Sequence, residues 1–173
     1  PDAAEFLNPI YTNTWHTLKN GRCRYGLMLG EDGMIMDDGV TTRFTESHFF
    51  MTTTTGNASS VLEWLEEWSQ TEWPEMKVFF TSVTEQYANI TISGPCARLL
   101  LSEFTDDIDL DPKSFPFMSM REGTVACVSA RIFRISFTGE LTYEINIPAS
   151  NGVSVWNAMM TAGDKYGITP YGT

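Results

Sequence analysis

Apolar and polar positions alternate with period two over several short stretches of this chain, and between them the apolar spacing shifts to three and four residues. That predicts strands and helices in mixed order. Ala3, Phe6 and Leu7 open a short helix directly behind Pro1. Residues 22–29 alternate, Glu31-Asp32-Gly33 supplies a turn, and residues 34–37 return, which is the pattern of a β-hairpin. A second strand pair is predicted at 40–44 and 48–54 across Thr45-Glu46-Ser47, with the threonine run 52–55 suiting a strand that Gly56-Asn57 ends.

A helix is predicted over 59–70, because Ser60 and Glu63 have capping-box spacing and Val61, Leu65 and Trp68 fall on one face. Glu63, Glu66 and Glu67 occupy its wet remainder and read as a solvated face, not a metal cluster. Strands follow at 77–83 and 87–93 with a hairpin turn around Glu85-Gln86, and Gly94-Pro95 opens a helix through 96–103. The four aspartates Asp106, Asp107, Asp109 and Asp111 lack the glycine and closing glutamate of an EF-hand loop, so they read as an exposed connection. Two further strands, 124–137 with an inner bend and 141–148, flank Thr138-Gly139-Glu140, and a last helix over 153–166 turns Val155, Met159 and Ala162 inward. Hairpin-like links between interspersed strands and helices predict an α+β fold of mostly antiparallel sheets with flanking helices, and no GxGxxG or P-loop follows any strand.

Composition narrows the partners. The net charge is −11, from 22 acidic and 11 basic residues, with no clustered basic surface visible, which argues against binding a phosphate backbone. No stretch approaches the roughly 20 consecutive apolar residues that span a bilayer, and the first residues lack the pattern of a signal peptide. A soluble, cytoplasmic protein is expected. Cys23, Cys96 and Cys127 are odd in number and widely spaced, so neither a disulfide framework nor a zinc site is indicated, and they read as small buried hydrophobes. No metal site is expected. His16 and His48 are read as surface or capping residues. The abrupt helical start at Pro1 and the turn-like end from Tyr166 read as cut ends, so the whole of 1–173 is expected to be one domain, incomplete at both ends.

Three segments in order, Arg22-Cys23-Arg24-Tyr25-Gly26-Leu27-Met28-Leu29 running on to Asp37-Asp38, then Gly94-Pro95, then Phe137-Thr138-Gly139-Glu140 followed by Tyr143-Glu144, resemble the aminomethyltransferase family. That family includes the glycine-cleavage T-protein, and the likeness is nearest to the sarcosine oxidase α-subunit branch. It covers essentially the whole chain and implies a truncated aminomethyltransferase folate-binding fold. It further implies transfer of a one-carbon unit from an oxidised N-methyl amino acid, held as a sarcosine-derived iminium, to tetrahydrofolate, giving 5,10-methylene-tetrahydrofolate. FAD, FMN and NAD would then belong elsewhere in the parent assembly, with the other sarcosine oxidase subunits as partners. A T-protein-like aminomethyltransferase and a non-catalytic folate-binding module are the alternatives.

The resemblance also implies roles. Glu144 matches the carboxylate that accepts the paired N–H donors of the pterin edge, a charge-assisted arrangement that fixes the ring. On a strand it can face a cavity while Tyr143 packs behind it, although spacing alone also allows a solvent-facing glutamate. Asp38 matches the aspartate beside the reacting nitrogens and is the catalytic candidate, with Asp37 pointing the other way; by themselves two adjacent aspartates are equally turn chemistry. Tyr25, Val40 and Phe137 would line the folate pocket, and Asp38 and Glu144 are expected to open on a shared hollow. Two departures stand out. Phe137 replaces a tyrosine common in the family, which removes a hydroxyl, and Thr142 replaces a glycine of the T-protein pattern.

Overall fold

The computed structural model describes residues 1–172, which form two compact units, Pro1–Ser82 and a second beginning at Val83. Within each unit every described strand pairing is antiparallel. No helix among the described residues is long and apolar enough to cross a membrane.

In the first unit, helix α1 (Ala3–Ile10) buries Phe6, Leu7 and Ile10 on one face. Strands β1 (Arg22–Leu29), β2 (Ile35–Thr45) and β3 (His48–Met51) form a meander with β2 in the middle. The two separate segments expected at 34–37 and 40–44 are therefore one eleven-residue strand. Gly39 does not break it. It faces Gly26 across the ladder, and a Cβ at Gly39 would overlap the Thr52 carbonyl, so the glycine is there for close backbone approach.

β3 ends at Met51, short of the expected Thr54. The Thr52 side chain intervenes: Val40 N–H donates to Thr52 Oγ1 at 3.0 Å, and the Thr54 N–H turns to the Asp37 carboxylate at 3.3 Å. The Thr52 hydroxyl takes a backbone donor that the ladder would use, and the Thr54 N–H is drawn to a side chain instead of a strand carbonyl, so the pairing stops there. Helix α2 (Ala58–Thr71) matches the expected helix within a residue at each end, and Val61 and Leu65 are buried. The expected capping box is not formed. A 3-10 turn over Thr55–Asn57 leads in, so Ser60 already lies inside the helix, and the Asn57 side chain bonds to the Met36 carbonyl at 3.1 Å.

The strand expected at 77–83 is absent. Its alternation is real at the level of side chains: Phe80 packs on Phe6 with ring centroids 5.1 Å apart while Phe79 is exposed. The Lys77 N–H donates to the Asp2 side chain at 2.8 Å, so the segment is tied down as an irregular strap. Trp15, Tyr11, Leu18, Met28 and the α1 and α2 apolar faces complete this unit's core.

The second unit is a four-stranded sheet in the order β5 (Ser119–Val125), β6 (Val128–Arg134), β7 (Thr142–Pro148), β4 (Tyr87–Ser93). β4 therefore pairs with β7 and not with a preceding hairpin strand. Helix α3 (Ala97–Ser102) and helix α4 (Gly152–Gly163) cover one face, where Ile90, Ile92, Ile132, Tyr143, Ile145 and Ile147 meet Leu100, Leu101, Val155 and Met159. Such burial stabilises by about 1.5–3 kcal/mol for each large apolar side chain.

The single bent strand expected over 124–137 is instead a hairpin in which Val125 pairs with Val128 across Ala126-Cys127. Both turn residues have positive φ, as the favoured two-residue hairpin turn demands, but neither is the Asn or Gly that would announce it. Cys127 is accordingly exposed, against the expectation of three buried cysteines; Cys23 is buried and Cys96 half-buried. The four aspartates at 106–111 are exposed on a connection anchored by buried Ile108 and Leu110, with Asp107 accepting from Thr124 N–H at 3.1 Å.

Candidate functional site

Strand alternation sorts the two aspartates to opposite faces. Asp37 is buried with the first unit's core, beside Tyr11, whose hydroxyl is pushed up to about 12, first by burial. Asp38 shares the other face with Leu27, Tyr25 and Val40, since Leu27 pairs with Asp38 and Tyr25 with Val40. Tyr25, half exposed, donates a 2.5 Å hydrogen bond from its hydroxyl to Asp38 Oδ2. That bond to a carboxylate holds the Tyr25 phenol above its ordinary pKa. Asp38, Tyr25 and Val40 are thus brought together on adjacent strands of the first unit.

Glu144 and Phe137 are brought together in the second unit, where both line a cavity of about 670 Å³. β7 directs Tyr143 to the opposite side, fully buried against Phe115, with its hydroxyl accepting from Arg98 Nε at 3.1 Å. Glu144 is half-buried, and burial pushes its carboxyl up, while a 3.4 Å bond from Asn89 Nδ2 pulls it partly back. Most of the remaining wall is apolar or aromatic, Cys96, Trp156, Met160, Tyr166 and Tyr171 among it, with polar side chains contributed by β4. An acidic acceptor in a largely apolar hollow suits a flat heteroaromatic ligand that offers paired N–H donors, and the volume falls in the usual range for small-molecule sites, about 300–1,000 Å³.

The sequence profile described as the GCVT N-terminal domain matches residues 1–173. The chain belongs to the GCVT N-terminal domain family. Among curated proteins it is 53% identical to the sarcosine oxidase subunit alpha of Corynebacterium sp. (strain P-1), over 99% of this chain and 18% of that protein. It is 32% identical to the aminomethyltransferase of Corynebacterium aurimucosum, over 99% of this chain and 46% of that protein. Among solved structures, the crystal structure of glycine cleavage system aminomethyltransferase T from Bartonella henselae superposes with a TM-score of 0.72 at 24% identity, over 92% of this chain and 41% of that one, which establishes the shared fold. The chain therefore spans less than half the length of these relatives.

Within this GCVT domain, several cavity residues escaped the sequence reading. Asn89, Thr91 and Ser93 line the cavity from β4, and their signal was present as a polar residue at every second position of that strand. Trp156 lines it from α4, off the stripe of Val155 and Met159. Phe137 lies outside any strand, 88% exposed at the cavity rim. His16, 3.7 Å from the Glu5 carboxylate, and His48, edge-on to Phe44, are both exposed. No group of acidic, histidine or cysteine side chains among the described residues could hold a metal ion.

Proposed function

We propose that this chain is the folate-binding, one-carbon-transferring part of a sarcosine oxidase α-like subunit, which passes a methylene unit from an oxidised N-methyl amino acid to tetrahydrofolate and gives 5,10-methylene-tetrahydrofolate. The observation that carries the reading is Glu144: a half-buried carboxylate opening into a cavity with aromatic walls, at the position where the family resemblance puts the pterin-binding acid. Glu144 accepts the two N–H donors of the pterin edge, and Phe137 adds ring packing without a hydroxyl. Asp38 holds the cationic iminium and moves a proton at the reacting nitrogens, with Tyr25 and Val40 beside it. FAD, FMN and NAD act elsewhere in the parent assembly, together with the other subunits, in the cytoplasm. The greater similarity to sarcosine oxidase subunits than to aminomethyltransferases favours this reading over a T-protein-like one.

The test separates two quantities in the complete subunit. Glu144→Ala should weaken tetrahydrofolate affinity by about tenfold or more, the loss of one charge-assisted hydrogen-bonded contact, with a smaller effect on transfer from bound folate. Asp38→Ala should slow transfer by about 10²–10⁴-fold while changing affinity little. Equal effects of the two substitutions on both quantities would refute the division of roles.

A further inference from the structure

Three polar side chains on one face of neighbouring strands are joined in series. Thr91 Oγ1 donates to Asn89 Oδ1 at 3.2 Å, and Asn89 Nδ2 donates to Glu144 Oε2 at 3.4 Å. All three line the cavity. We propose that Asn89 is a positioning residue for Glu144, with Thr91 fixing which way the Asn89 amide points.

The two ends of an amide are nearly the same shape and opposite in polarity, so something must decide which end meets a carboxylate. Here the Thr91 hydroxyl takes the carbonyl end and turns the NH₂ end toward Glu144. The register makes this possible: Thr91 pairs with Glu144 and Asn89 with Asn146, so Asn89 reaches Glu144 on the diagonal. One lone pair of Oε2 is thereby anchored to the strand, which leaves Oε1 and the second lone pair of Oε2 to accept from the ligand. A half-buried carboxylate loses hydration, and a donated hydrogen bond to its charged form offsets part of that loss.

The inference deepens the proposed folate reading and rests on it only for the identity of the ligand. The other titratable groups on this face or along the cavity are Tyr87, Arg131, Cys96, Tyr166, Tyr171 and Glu140, whose carboxylate borders Gly94. Arg131 is already engaged by Glu122 at 3.1 Å. Asn89 is the donor Glu144 meets.

The experiment is a ¹³C NMR titration of the Glu144 carboxyl in this chain, without folate, in the wild type, Asn89→Ala and Thr91→Val. Asn89→Ala should move the Glu144 midpoint up by about half to one pH unit, a roughly three- to tenfold change in the ionisation constant. Thr91→Val, which keeps the strand's shape, should move it the same way by less. A midpoint that stays put in both variants overturns the inference. Tetrahydrofolate affinity of the complete subunit is measured alongside. Its acid limb should follow the Glu144 midpoint upward in Asn89→Ala. A midpoint that moves while Glu144→Gln leaves affinity untouched would sink the folate reading and leave the relay standing.

Discussion

Tyr25 donates its phenolic proton to Asp38 across β1 and β2 at 2.5 Å, on the face of those strands opposite the one that buries Asp37. The carboxylate stabilises the protonated phenol, so Tyr25 titrates above its ordinary 10.0. Removing the acceptor with Asp38→Ala should return it toward that value, read from the Tyr25 ring carbon by NMR. The sign follows from linkage. A pKa raised on folding contributes stability that is present below the unfolded pKa and lost as the pH rises through the folded one, so this pair matters at neutral pH and fades in strong alkali. A Tyr25 titration indifferent to Asp38→Ala would show that the two groups do not interact in solution.

Gly39 owes its place to the Thr52 carbonyl. Gly39→Ala would drive a methyl group into backbone that cannot rotate away, unlike the end of a flexible side chain. The expected loss is about 3 kcal/mol or more, at the upper end of overpacking effects, seen as a large fall in melting temperature. Gly33→Ala is the comparison: no atom crowds that position, though its φ of 77° still imposes a modest backbone cost. Equal melting temperatures for Gly39→Ala and the wild type would mean that residues 52–54 shift freely.

The cysteines should separate by rate. Cys127 sits exposed at a hairpin turn, Cys96 is half-buried at the cavity and Cys23 is buried. A maleimide followed by peptide mass spectrometry should label Cys127 first, Cys96 more slowly and Cys23 only on unfolding. Early labelling of Cys23 would contradict the packing of β1.

Much of the molecule was legible in the residues because the signals were local. The α2 and α4 apolar stripes, the β1–β2 turn at Glu31-Asp32-Gly33 and the alternation of β4 each depend on neighbours a few positions away, and each element formed near its expected bounds. The family likeness carried by Tyr25, Asp38 and Glu144 was equally a matter of order and spacing. Partnership was not legible in the same way. Periodicity says that a side chain is covered and is silent about where the backbone hydrogen bonds go, which is why 77–83 alternates like a strand yet forms a strap, and why the Ala126-Cys127 turn passed for a bend.

What the sequence determined by itself was the class of the fold and the positions of most strands and helices, since these follow from short-range pattern, while the choice of Asp38 and Glu144 came from the family resemblance. The tertiary structure decided that 35–45 is one strand, that Thr52 and Thr54 end β3 with bonds of their own, and that Thr91 and Asn89 stand next to Glu144. Those outcomes rest on contacts between residues up to 55 positions apart, as for Asn89 and Glu144, and such contacts exist only once the strands have paired.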